Sequence, residues 1–218
     1  MKGYMVVIEG VNGGGKGMVI EGLEAHFAQQ GRDVVLSKEP GATRFGLRLR
    51  KMILDNEYPE LFNESKLLLF AAARAQNLRE VILPALQADK LILCDRWATS
   101  SVSFQGYAEG LPIEVVKAAN QVALGPFQPD IVFILDIDPQ IGIERTRARN
   151  AEADVFEQKP IDYHRRARSG YLIQAQEDPE RFVVIDASQP PEVVLAQIIA
   201  ILEVRMKAAQ QDRNLLSA

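Results

Sequence analysis

Cysteine, long apolar runs and an excess of basic charge are all scarce in this sequence of 218 residues. Cys94 is the only cysteine, so a disulfide within the chain is excluded. No apolar run approaches the roughly 20 residues that span a bilayer, and no basic N-terminal region precedes a long apolar stretch. We therefore expect a cytoplasmic protein without a membrane partner.

Charge is nearly balanced, with 25 Lys and Arg residues against 29 Asp and Glu residues and a formal net charge of -4. Without an overall positive field, long nucleic acid is a poor partner, and any phosphate must be bound by local cations. The hydrophobic content of 47% and charged content of 25% are ordinary for a globular domain with a core. No Cys and His grouping indicates zinc.

The first apolar run, at residues 4–9, leads into a glycine-rich segment that ends in a lysine. Glycines adopt backbone angles closed to other residues, so successive N–H groups can turn onto an anion. A helix beginning near Lys16 would aim its positive end at the same phosphates. The pattern G-x-x-x-x-G-K is met and predicts a nucleotide-binding loop. Its residues are Gly10, Asn12, Gly13, Gly14, Gly15, Lys16 and Gly17.

The position after the lysine departs from the usual phosphate-binding loop. A Ser or Thr hydroxyl is expected there as a magnesium ligand, but this chain has Gly17. Water, other protein oxygens and the phosphates would have to complete the coordination of the metal.

Apolar runs alternate with helical patterns along the chain. Strands are predicted at about 4–9, 32–37, 91–94, 130–136 and 181–186. Helices are predicted at about 16–30, 44–55, 64–88, 112–124, 139–149, 161–177 and 190–207. Parallel strands need crossover connections, so this alternation predicts an α/β fold with a five-stranded parallel sheet covered on both faces.

The same pattern predicts a single domain over residues 1–209. The polar, acidic segment at about 150–160 has the character of a lid, and residues 210–218 are expected to form a frayed tail.

Asp95 and Arg96 directly follow the third apolar run. Ligands of open α/β sheets bind at the carboxyl ends of the strands, so both side chains should face the same crevice as the loop. Asp95 is then placed to hold magnesium, directly or through water, and Arg96 to hold a phosphate. The alternative is a salt bridge that caps the strand.

Five stretches resemble, in order and spacing, the thymidylate kinases of the P-loop nucleoside monophosphate kinase group. The likeness covers about residues 4–205, and the stretches lie at 8–16, 39–43, 70–76, 95–106 and 145–149. The resemblance implies a three-layer α/β/α fold of the P-loop NTPase type. It also implies transfer of a phosphoryl group from ATP to dTMP with Mg²⁺, by a homodimer.

The resemblance also implies roles for single residues. Phe70 is similar to the aromatic residue on which the thymine ring stacks, and Arg74 to the arginine at the base edge. Ser101 and Gln105 are similar to residues near the base and sugar. Arg50 and Arg96 are expected to hold the acceptor phosphate, with Glu39 near that phosphate and the metal. From the residues alone, Phe70 is better interpreted as a core phenylalanine on a helix.

An arginine of the lid is expected to neutralise charge on the transferred group. Arg149 is the best-placed candidate, whereas Arg145 and Arg147 could be charges on a helix surface. Together with Lys16, Arg96 and Asp95, Arg149 makes up the predicted catalytic group.

Several positions differ from the family pattern. Asn12 stands where Asp is usual, Val155 replaces a lid arginine, and Trp97 replaces a tyrosine. With Gly17, these differences leave two alternatives open. The chain could be a weakened, nucleotide-binding homologue, or a kinase for another nucleoside monophosphate.

Overall fold

The computed structural model describes residues 3–54, 58, 60–148 and 155–216, and within it the predicted parallel sheet of five strands is confirmed. The strands are β1 (Tyr4–Glu9), β2 (Val34–Lys38), β3 (Leu91–Asp95), β4 (Ile131–Asp136) and β5 (Phe182–Asp186). Their order across the sheet is β2-β3-β1-β4-β5, and every neighbouring pair is parallel.

The strand β1 occupies the centre of the sheet because its side chains are apolar on both faces apart from the last. All six of its residues are buried, and it pairs with β3 on one side and β4 on the other. The carboxyl end of β1 therefore opens into the middle of the sheet edge, between the ends of β3 and β4. Groups from three strands converge at this point.

Helices cover both faces of the sheet. They are α1 (Lys16–Gln29), α2 (Arg44–Leu54), α3 (Asn63–Asn77), α4 (Leu83–Gln87), α5 (Ala98–Ser101), α6 (Ile113–Leu124), α7 (Pro139–Ala148), α8 (Ile161–Glu177) and α9 (Pro191–Leu216). In the described part of the chain, no helix is both long and apolar enough to cross a membrane.

The helical pattern predicted at 64–88 is continuous in the structure. A π-helical stretch, Leu78–Ile82, joins α3 to α4 just before Pro84. Proline has no N–H and its ring crowds the carbonyl one turn earlier, so the wider π-helical turn accommodates it without ending the helix.

Two segments differ from the sequence interpretation. The polar segment at 99–106, for which the sequence pattern predicts no element, is helical: α5 continues into a π-helical stretch, Val102–Ala108. The last helix runs to Leu216, past the end predicted near residue 207 and into the tail expected to be frayed. Residues 208–216 contain good helix formers such as Ala, Gln and Leu and no Gly or Pro that would stop the helix.

Candidate active site

The predicted phosphate-binding loop connects β1 to α1. Gly10, Gly13 and Gly15 have positive φ angles of 130°, 81° and 87°. A Cβ atom on Gly13 would lie 2.1 Å from the carbonyl oxygen of Gly142, so α7 packs directly against the loop. Side chains at these positions would prevent both the turn and the close approach of α7.

Lys16 begins α1, and its ammonium lies inside the loop. Its Nζ donates hydrogen bonds to the carbonyl oxygens of Gly10 and Val11, both at 3.1 Å. Burial lowers the pKa of Lys16 to about 7, and the charge of Arg96 acts in the same direction. An anion bound in the loop would restore its usual protonation.

Gly17 is the second residue of α1 and is exposed. A Cβ atom on it would meet no atom within 4 Å, and its φ lies outside the positive range. The missing hydroxyl of the loop is therefore not explained by a lack of space.

Asp95 lies at the carboxyl end of β3, beside the loop. Lys38 pairs with it at 3.3 Å between Nζ and Oδ2, a salt bridge whose cation comes from the end of β2. Its other oxygen, Oδ1, is buried and has no hydrogen-bond partner among the described residues. Burial would raise the pKa of Asp95, but the charges of Lys16, Arg96 and Lys38 outweigh it and lower that pKa.

An unpartnered, ionised carboxylate oxygen suits a hard cation such as Mg²⁺. Within the described ranges, no group of three or more His, Cys, Asp or Glu residues could hold a metal by itself. The residues present therefore fit a cation that takes most of its ligands from phosphates and water.

Arg96 connects β3 to the loop. Its Nη1 donates to the carbonyl oxygen of Gly10 at 3.1 Å and to the hydroxyl of Tyr171 at 3.0 Å, and its Nη2 donates to Oδ1 of Asn12. The guanidinium carbon also lies 5.2 Å from the ring centroid of Phe104. Arg96 has a φ of 70°, an unfavourable angle for a residue with a side chain.

Glu9 helps to hold this backbone conformation, and the sequence analysis did not identify it. Its fully buried carboxylate accepts hydrogen bonds from the backbone N–H of Trp97 at 2.8 Å, the Ser100 hydroxyl at 2.6 Å and the Tyr171 hydroxyl at 2.9 Å. Burial raises the pKa of Glu9, and the charge of Arg96 opposes the rise. The available signal was one acidic residue at the end of an otherwise apolar strand.

Arg74 is 1% exposed, and every nitrogen of its guanidinium has a protein partner. Nε donates to Glu39 Oε2 at 2.7 Å, Nη1 to Asn120 Oδ1 at 2.6 Å, and Nη2 to Ser101 Oγ at 3.0 Å. Glu39 also accepts from the Asn77 side chain at 3.2 Å. Burial raises the pKa of Glu39, and the adjacent Arg74 opposes that rise. Asn77 and Asn120 had no signal in the sequence.

The loop and these charged residues line one cavity of about 680 Å³. Every predicted site residue lines it except Gly10, which is buried at the start of the loop, and Arg149, which lies outside the described residues. Phe156 also lines it, with its ring centroid 6.2 Å from that of Phe70 and 6.4 Å from that of Phe104. The cavity thus has a phosphate-binding end and an aromatic end.

Two further arginines line the same cavity. Arg50 donates from Nη1 to the carbonyl oxygen of Pro40 at 3.0 Å. Arg145, which the sequence did not distinguish from a helix-surface charge, donates to the carbonyl oxygen of Ala187 at 3.1 Å. The α7 helix therefore contributes a cation to the cavity.

The central β1 strand, the loop after it and the carboxylate at the end of β3 define a nucleotide-binding protein of the P-loop α/β class. The chain matches the Thymidylate kinase family over residues 8–198. A protein named Thymidylate kinase from Desulfovibrio desulfuricans is 40% identical over 208 residues, which cover 93% of this chain and 96% of that protein. One of the same name from Geobacillus thermodenitrificans is 39% identical over 212 residues, 97% and 94% of the two chains. A third, from Chlamydia muridarum, is 40% identical over 202 residues, 92% and 98%. The chain belongs to the thymidylate kinase family.

Proposed function

We propose that this protein transfers the γ-phosphoryl group of ATP to dTMP, giving dTDP and ADP. The observation that carries the proposal is the single cavity with the phosphate-binding loop at one end, an aromatic pocket at the other, and Arg96 between them. Membership of the thymidylate kinase family selects dTMP among the possible acceptors.

The loop end suits the donor. Gly13 and Gly15 turn the backbone, Lys16 supplies a half-buried cation, and Arg145 lines the same cavity. Asp95 and the donor phosphates would hold Mg²⁺, which neutralises phosphate charge when it is bound. Gly17 contributes no side-chain oxygen to that site.

The aromatic end suits the acceptor. Phe70 offers a half-buried ring on which a base can stack, and Arg74 is held rigidly beside it by Glu39. We assign Ser101 and Gln105 to the base and sugar. The bond from Arg74 to the Ser101 hydroxyl supports this placement.

The acceptor phosphate would lie between Arg50 and Arg96. Both guanidiniums line the cavity, and Arg96 also bonds to Gly10 of the loop. This bond fixes Arg96, which would hold the acceptor phosphate, relative to the loop that would bind the phosphates of ATP. Phosphoryl transfer requires in-line positioning and charge neutralisation more than a covalent nucleophile, and this arrangement supplies both. Arg149 stays a proposal for a lid arginine.

Release of ADP with a panel of nucleoside monophosphates tests the proposal. We expect dTMP to stimulate ADP release in the presence of Mg²⁺, and dUMP, dCMP and dGMP to do so far less. If no monophosphate does so while ATP still raises the melting temperature, the chain binds nucleotides without catalysis, as Gly17 and Asn12 would favour. Turnover of another monophosphate with dTMP inert would move the assignment to that acceptor.

Cytoplasmic location stays a prediction.

We also propose that the protein forms a homodimer through α2, α3 and α6. The α3 helix packs against both of the other helices, and large apolar side chains are exposed on these helices: Leu47, Leu68 and Val122 are 57%, 63% and 89% exposed. A second copy would bury them. Val122→Glu should yield a monomer in light scattering, whereas Val204→Glu on α9 should not. Equal masses for both variants would contradict this face.

A further inference from the structure

The side-chain amide of Asn12 has two charged partners. Its Nδ2 donates to Oε1 of Glu157 at 3.2 Å, across 145 residues of sequence. Its Oδ1 accepts from Nη2 of Arg96. An amide has a donor end and an acceptor end, so these partners fix one orientation, with the oxygen on the guanidinium and the nitrogen on the carboxylate.

Glu157 is brought to the loop by its neighbour. Phe156 is only 8% exposed, and its ring packs between Phe70 and Phe104 at the aromatic end of the cavity. The turn is closed by a hydrogen bond from Lys159 N–H to the carbonyl oxygen of Phe156 at 3.2 Å. Residues 155–160 are therefore attached to the cavity by an apolar contact and, through Glu157, by a polar one.

An amide at position 12 allows both bonds, whereas a carboxylate allows one. An aspartate of the same shape could accept from Arg96 but has no proton for Glu157. Two carboxylates would then face each other at about the present 3.2 Å, and like charges at this distance repel. Neutral, bifunctional Asn12 removes that conflict.

We propose that Glu157 is a positioning residue that acts through Asn12 on Arg96. By holding the amide nitrogen, Glu157 directs the amide oxygen to the guanidinium. Asn12 thereby becomes the link between residues 155–160 and the guanidinium of Arg96. The consequence for phosphate transfer rests on the proposed function, but the link itself does not.

Swapping the amide and the carboxylate between positions 12 and 157 tests the link in the full, ligand-free chain. Asn12→Asp should speed amide hydrogen exchange in residues 155–160 by about tenfold, as expected when a hydrogen bond to a charged group is lost. Glu157→Gln should change it by less than about twofold, because two amides still form a donor–acceptor pair. The double variant should return to the native rate, since its introduced glutamine amide can donate to its introduced carboxylate.

Asn63→Asp makes the same chemical change at the start of α3 and is the matched control, with exchange in residues 155–160 expected to stay native. If amide hydrogens of residues 155–160 exchange as slowly in Asn12→Asp as in the native chain, the proposal is overturned. A double variant that exchanges as fast as Asn12→Asp would also overturn it, because the effect would then not depend on the pair.

Kinetics test the step from Asn12 to Arg96. The KM for dTMP should rise in Asn12→Asp and fall back in the double variant, by more than kcat changes. Amide exchange could change among the variants as expected while the KM for dTMP stays the same. That result would show that the Asn12–Glu157 pair does not act on Arg96. If dTMP is not phosphorylated at all, the proposed function fails, and the exchange measurements still decide the link.

Discussion

Restoring a hydroxyl at Gly17 is the sharpest perturbation of the loop. The residue occupies the second position of α1, and a new Cβ meets nothing within 4 Å, so Gly17→Thr should not disturb the native packing. Glycine costs roughly 0.5–1 kcal/mol in a helix relative to alanine, so loss of Gly17 should not lower the free energy of unfolding.

The hydroxyl would supply one oxygen ligand for Mg²⁺ in addition to Asp95 and the donor phosphates. One additional hydrogen bond or ligand to a charged group contributes about 1.5 kcal/mol, which corresponds to roughly a tenfold lower Kd for ATP with Mg²⁺. Gly17→Val has the same shape without the oxygen and is the matched control. Calorimetric titration with Mg²⁺ and with a chelator measures both variants.

The expected result is tighter binding for the threonine variant, only when Mg²⁺ is present, and native binding for the valine variant. If both variants bind alike, or if the gain persists in the chelator, the reasoning is wrong and the hydroxyl does not act on the metal.

Three further perturbations follow. Phe70→Ala should weaken dTMP binding by about 1–3 kcal/mol if the ring stacks on the base, whereas Phe62→Ala, 77% exposed and outside the cavity, should leave the Kd unchanged. Arg74→Ala should lower the free energy of unfolding by about 3–5 kcal/mol in a denaturant titration, because it leaves Glu39 buried without its cation; a change under about 1 kcal/mol would contradict this. Lys16 has a pKa of about 7 and is largely neutral at pH 8, so ATP binding should take up nearly one proton at pH 8 and almost none at pH 6. Calorimetry in buffers of different ionisation enthalpy measures this proton uptake, and Lys16→Arg should abolish it. Binding heats that do not depend on the buffer at pH 8 would refute the predicted protonation of Lys16.

The parts of the site that the sequence predicts are those whose chemistry is local. The loop is recognisable because glycine and lysine have backbone and charge properties that few other patterns combine. Asp95 and Arg96 are recognisable because they follow an apolar strand directly. In both cases the signal lies within a few residues of the chain.

The supporting residues are not predictable in this way because their partners are distant in sequence. Glu9 bonds to Tyr171 across 162 positions, and Arg74 bonds to Asn120 across 46. Only the packing of α8 and α6 in the folded chain brings these groups together. The helical path at 99–106 is not predictable for a related reason, since most of its polar side chains are buried against α8 or the site and give no amphipathic periodicity.

Transfer of label from ATP marked at its γ-phosphorus tests the central claim most directly. The account predicts that, with Mg²⁺ and dTMP present, the label appears in dTDP, and that Arg96→Ala reduces this transfer severely while ATP still binds. Label found only in inorganic phosphate, or in the diphosphate of another nucleoside while dTMP stays unlabelled, would contradict it.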